Sequence, residues 1–151
     1  MTDFMEEKFS ESDRHYISLL EECINRMAAN SANCKTWLVS LVAAILALQL
    51  TGPELRSILW VALGLIVIFF ILDSYYLSLE RKFIVVVKNF VSAVQDKNDE
   101  HLSTGIYSFN IKSVTDKRAT VYSAFFSLST LPFYLTLFLI VLGVCLWPLI
   151  F

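Results

Sequence analysis

Charge is segregated along this chain to a degree that few folds allow. Three stretches are almost free of it: Trp37 to Leu50, interrupted only by Ser40 and Gln49; Ile58 to Leu72, unbroken; and Leu131 to Phe151, with one aliphatic hydroxyl at Thr136. All the charged residues but Glu54, Arg56 and Asp73 fall into two blocks, Met1 to Lys35 and Ser78 to Thr120. A hydrocarbon core takes roughly 20 apolar residues to cross as a helix. Inside it every backbone polar group must be bonded within the segment, so these runs are expected to be helices. A membrane barrel would need strict alternation of apolar and polar residues, which is absent. With 56% apolar residues in 151, and a mean hydropathy of +0.62, too little polar surface remains to wrap the core of a soluble domain. The first run is short for a span, so a helix beginning near Ser12 or Asp13 is expected to run continuously into the membrane.

The arrangement this predicts is an all-α membrane protein with three transmembrane helices, helical extensions into the cytoplasm and a short cytoplasmic arm or hairpin. Residues 1–35 form a cytoplasmic N-terminal helix, 36–51 the first span, 52–57 a short external turn containing Gly52-Pro53 and 58–77 the second span. Residues 78–121 supply a cytoplasmic helix, an arm and an interfacial helix, and 131–151 the third span. Trp37 and Tyr75-Tyr76 fall at one boundary, Trp60 and Trp147 at the other, where amphipathic rings sit at headgroup level. Eleven of the twelve basic residues lie before the first span or between the second and third; only Arg56 lies in the intervening turn. The basic side is therefore the cytoplasmic one, with the N-terminus inside and the C-terminus outside. Met1 to Ser10 lacks the basic-then-apolar order of a cleavable signal peptide, so the first span is expected to stay in the mature chain.

Within the cytoplasmic block, Leu79, Phe83, Val86, Val87, Phe90, Val91 and Val94 recur at helical spacing, which predicts that the second span continues as an amphipathic helix. Gln95 to Glu100 breaks it. His101 to Thr115 is the one candidate for non-helical structure, because Tyr107, Phe109 and Ile111 alternate with Ser108 and Asn110. From Asp116 the helical pattern resumes into Tyr122, Phe125 and Phe126, suited to the membrane interface. Ser129-Thr130-Leu131-Pro132 then opens the third span.

Three groups of residues are candidates for function. On the first helix Glu22, Arg26, Ala29, Asn33, Thr36, Ser40, Ala43 and Ala47 share one face, and Leu38, Leu41, Val42, Ile45 and Leu46 lie off it. A small, polar seam of this kind either lines a conduit when several copies gather round an axis, with Ala29, Asn33, Thr36, Ser40, Ala43 and Ala47 as pore lining, or lets helices pack closely. Asp73 is an ionisable group near the cytoplasmic end of the second span, and Lys35 enters the membrane at the same level. They form a structural ion pair or a gate. Arg81, Lys82, Lys88, Lys112, Lys117 and Arg118 make up a basic set that either binds an oligonucleotide, with Tyr107 and Phe109 to stack bases, or serves topology and anionic lipid.

Little in the chain points to catalysis. His15 and His101 have no nucleophile or carboxylate setting, there is no glycine-rich phosphate loop, and no cofactor is implied. Cys23, Cys34 and Cys145 form no C-x-x-C pair and have no histidine at metal-ligand spacing, so neither a disulfide framework nor a metal site is expected. With 12 basic and 14 acidic residues, long-range attraction to nucleic acid is not written into the chain as a whole, and any such binding must be local.

Two stretches carry a resemblance: Ala29-Asn30-Ser31-Ala32-Asn33-Cys34-Lys35-Thr36-Trp37, and Leu72-Asp73-Ser74-Tyr75-Tyr76-Leu77-Ser78-Leu79-Glu80-Arg81. In them the chain resembles small bacterial inner-membrane effectors of anti-phage defence, and among these the membrane-channel subunits of Hailong systems. The resemblance implies a homo-oligomeric channel, held shut by a DNA oligomer that a partner nucleotidyltransferase makes and opened to depolarise the membrane when that ligand leaves. Related effectors respond to cyclic nucleotides, so the ligand class stays open between nucleotide and single-stranded DNA oligomer. The function expected is thus a homo-oligomeric ion channel, a tetramer, that is no enzyme. The alternative is a non-conducting membrane adaptor whose cytoplasmic helices and Ile106 to Ile111 arm recruit a soluble partner.

Overall fold

The computed structural model describes residues 10–49, 52, 57–95, 120–127 and 129–150, and every regular element among them is helical. Helix α1 runs Glu11–Gln49 and α2 runs Ile58–Gln95. A short turn of helix, α3, covers Val121–Phe125, and α4 covers Leu131–Ile150. At 1.5 Å per residue, α1 and α2 are each close to ~60 Å long, about twice the thickness of a hydrocarbon core. Both are long and apolar enough to cross a membrane, and α4 is apolar across Leu131–Leu146. The arm expected at His101–Thr115 lies outside the described residues, as do Asp116 to Ala119.

The start of α1 is set by a reciprocal cap. The Ser10 amide donates to Asp13 Oδ2 at 2.9 Å, and the Asp13 amide donates to Ser10 Oγ at 3.2 Å. Two of the donors that a helix start leaves orphaned are thereby satisfied. The helix consequently begins slightly earlier than the expected Ser12 or Asp13. No break separates its polar half from its apolar half, and α2 is equally continuous past Leu77, as the spacing of Leu79, Phe83, Phe90 and Val94 requires.

The two long helices pack antiparallel, so that Tyr16 near the start of α1 meets Phe90 near the end of α2, with ring centroids 4.8 Å apart. Two hydrophobic clusters hold the pair. One contains Tyr16, Leu20, Met27, Phe83, Phe90 and Val94. The other contains Leu38, Val42, Ile45, Leu59, Ala62, Leu63 and Ile66, joined by Tyr134 and Val141 of α4. Phe70 of α2 sits between Phe125 of α3, at 5.1 Å, and Tyr134 of α4, at 5.3 Å, and so knits the shorter elements to the hairpin.

Around the second cluster the outer faces of α2 and α4 are nearly as apolar as the interior. Trp60, Val61, Val67, Ile68 and Ile71 of α2, with Leu135, Leu139 and Ile140 of α4, are all exposed. A contiguous apolar surface of this extent is what a lipid or protein neighbour covers.

Candidate functional site

Between the two apolar clusters lies a layer of buried polar residues. The residues of α1 that face α2 follow three- and four-residue steps, Leu20, Met27, Ser31, Cys34, Leu38, Val42 and Ile45. Ser31 falls in this phase, and Lys35 stands one turn beyond it. From α2, Asp73 and Ser74 are wholly buried and Ser78 nearly so, because they occupy the same inward phase as Ile66. The chain thus carries its polar residues into the interface at one level of both helices.

At that level the carboxylate of Asp73, 0% exposed, is held by α1. Its Oδ2 lies 2.8 Å from Lys35 Nζ, and its Oδ1 accepts the Ser31 hydroxyl. Lys35 Nζ also donates to Ser31 Oγ at 3.2 Å, closing a triangle of three side chains. The Lys35 side chain keeps 24% of its surface exposed, so its stem is covered and its charge lies near the edge of the packing. From α4, the buried phenol of Tyr134 comes within electrostatic range of Asp73 and Cys34. A buried carboxylate is costly unless paired and hydrogen-bonded, and here both oxygens are engaged. The triangle has the chemistry of a clamp. It joins an acid, a base and a hydroxyl across the two long helices. Lys35 and Asp73 are therefore brought together as the sequence suggested. Ser31 and Tyr134 were missed, and the available signal was a serine in phase with leucines.

The seam lies on the opposite face of α1. At 100° per residue, Ser40 is turned about 200° from Leu38, and Glu22, Arg26, Ala29, Asn33, Thr36, Ser40, Ala43 and Ala47 are all exposed. Neither α2 nor α4 covers it. Thr36 Oγ1 donates to the Ala32 carbonyl at 3.2 Å and Ser40 Oγ to the Thr36 carbonyl at 3.0 Å. Each hydroxyl proton is thus satisfied within the helix, leaving oxygen lone pairs on the outward side. The ion pair and the seam are separate sites on one helix, the first turned inward and the second outward.

The basic set is divided. Arg81 Nη1 donates to the carbonyl and the hydroxyl oxygen of Ser123, each at 3.2 Å, and Nη2 donates to Ser127 Oγ at 3.0 Å. Its guanidinium is committed to the segment that contains α3. Lys82 is half-buried and Lys88 is exposed on the same stretch of α2. Lys112, Lys117 and Arg118 lie outside the described residues, as do Tyr107 and Phe109. The three cysteines are free thiols, and among the described residues no three histidine, cysteine or carboxylate side chains gather as a metal site needs. No protein family, curated protein or solved structure matches this chain.

Proposed function

We propose that this chain is a three-span protein of a bacterial inner membrane, with a cytoplasmic N-terminus and a periplasmic C-terminus, and that its copies assemble as a symmetric homo-oligomer, a tetramer, around an ion-conducting path lined by the α1 seam. The observation that carries this reading is the seam's exposure: eight successive small, polar or charged positions on one helix face are left uncovered by the described residues of the chain. Through the apolar half of α1 this face consists of Ser40, Ala43 and Ala47, below Thr36, with the hydroxyl protons bonded inside the helix, and such a small-residue surface suits a neighbouring copy or water better than lipid chains. Copies arranged about a symmetry axis hide it from lipid. The adaptor alternative gains least from this geometry, because it needs α2 or α4 to cover the seam.

The resemblance to defence effectors supplies the biological side of the proposal. Opening depolarises the membrane of an infected cell, and the signal is a cytoplasmic nucleotide or DNA oligomer made by a partner nucleotidyltransferase. With Arg81 engaged by α3, the ligand contacts of this reading fall to Lys82 and Lys88 on α2 and to Lys112, Lys117 and Arg118. Planar-bilayer recordings of the purified protein test the pore. Asn33→Leu and Ser40→Leu should each alter the single-channel conductance severalfold, and unchanged currents in both would remove the seam from the path. Native mass spectrometry should show an oligomer; a monomer sinks the proposal. Lys82→Glu with Lys88→Glu should weaken oligonucleotide binding and flatten its salt dependence by about one unit of slope for each phosphate no longer neutralised.

A further inference from the structure

The segment Thr120–Ser127 is built inside out for a piece of chain bathed in water. Its inward side carries Ser123, Ala124 and Ser127; Ala124 is fully buried, and both serines receive the Arg81 guanidinium. Its outward side carries Tyr122, 72% exposed, and Phe126, 64% exposed, one helical turn apart with ring centroids 5.3 Å from each other. A surface segment in water places small polar side chains outward and rings inward. Here one ring, Phe125, turns inward onto Phe70, but the other two face out while both serines face in, so the outer side suits a medium less polar than the anchor beneath.

Depth identifies that medium. Phe125 of the same segment packs on Phe70, inside the uncharged run of α2, while Arg81 lies two helical turns past Asp73 on the charged side. The segment therefore straddles the boundary between the apolar and charged levels of the hairpin. A few residues further on, Leu131 and Leu135 continue the exposed apolar surface into α4. A ring with a polar tip, such as Tyr122, partitions to the headgroup level of a bilayer, and an unsubstituted ring beside it, such as Phe126, faces the hydrocarbon just beneath.

We propose that Thr120–Ser127 is an in-plane membrane anchor: Tyr122 and Phe126 insert at the boundary between headgroups and hydrocarbon of the cytoplasmic leaflet, and Arg81 is the positioning residue that sets their depth. This rests on the membrane reading above, and the test keeps the two apart. Benzoylphenylalanine replaces Phe126 in one full-length protein and Ile68, 60% exposed in the middle of the apolar run of α2, in another. Each is reconstituted into vesicles of phosphatidylethanolamine and phosphatidylglycerol, irradiated, and analysed by intact mass. The expected result is a phospholipid adduct at both positions. An adduct at 68 without one at 126 overturns the anchor alone, and a covalent dimer at 126 assigns the face to a second copy and overturns it as well. No lipid adduct at either position overturns the membrane reading itself. Arg81→Ala should lower the adduct yield at 126 at least threefold and leave the yield at 68 unchanged; equal yields at 126 would remove Arg81 as the positioning residue.

Discussion

The two halves of the α1–α2 hairpin are held by different means. The half containing Tyr16, Leu20, Met27, Phe83 and Phe90 has large, partly aromatic side chains inside and polar or charged ones, such as Arg14, Glu21, Glu22 and Arg26, outside. The half containing Leu38, Val42, Ala62, Leu63 and Ile66 is aliphatic inside and, apart from the α1 seam and Thr136, apolar outside. In the first, burial removes apolar surface from water and drives association. In the second, under the membrane placement proposed above, the surround is as apolar as the core, and cohesion would then rest on shape and dispersion. The Ser31–Lys35–Asp73 triangle lies where the two regimes meet. It supplies a directional contact at the level where the hydrophobic force changes its meaning.

The sharpest way to break this comparison is at the junction. Lys35→Ala leaves the wholly buried Asp73 carboxylate without its counter-charge and should cost about 3–5 kcal/mol at neutral pH. Equilibrium unfolding in mixed micelles measures this. Asp73→Ala should cost less, because the stranded ammonium, already partly exposed, can extend toward headgroups. The joint replacement Lys35→Met with Asp73→Leu should recover much of the loss, as buried pairs exchanged for apolar side chains often do. Equal losses in the two single variants would mean that the ammonium is as confined as the carboxylate.

Next in size is the contrast between the clusters. Leu20→Ala should cost about 2–5 kcal/mol, from lost transfer and the cavity left behind. Leu38→Ala, equally buried, should cost less under the same conditions because only the packing part remains when the reference is lipid. If Leu38→Ala proves the more damaging, the second cluster is driven by exclusion from water and the halves are alike. The smallest effect belongs to the end of α1. Ser10→Ala removes half of the reciprocal cap and should cost about 1 kcal/mol. Hydrogen exchange should show that loss as faster amide exchange over the first turn, with no change at Tyr16 or beyond.

Much of this architecture was visible in the residues because it depends on local periodicity. Helical spacing from Leu79 to Val94 carried α2 past the apolar run, and Asp73 and Lys35 were matched because they stand at the same depth on neighbouring helices. The contacts that escaped join residues far apart in sequence through single polar bonds. Arg81 reaches Ser123 and Ser127, more than forty positions away, and no period announces such a pairing. Ser31 was passed over because a serine on a helix is usually read as a surface residue, although its phase with Leu20, Met27 and Leu38 marked it as buried. The seam was recognised as a face, but only the packed chain shows that it points away from both α2 and α4.

The continuity of α1 has a mechanical consequence. Ser31 divides the helix into arms of about 30 Å and 27 Å, and each arm is fastened to α2 by its own cluster, one through Leu20 and Met27, the other through Leu38, Val42 and Ile45. Neither arm can pivot about the Asp73 contact without opening a cluster. The hairpin is therefore a single stiff lever: a tilt imposed at one end of α1 carries α2 with it and arrives at the other end as a lean of the whole pair.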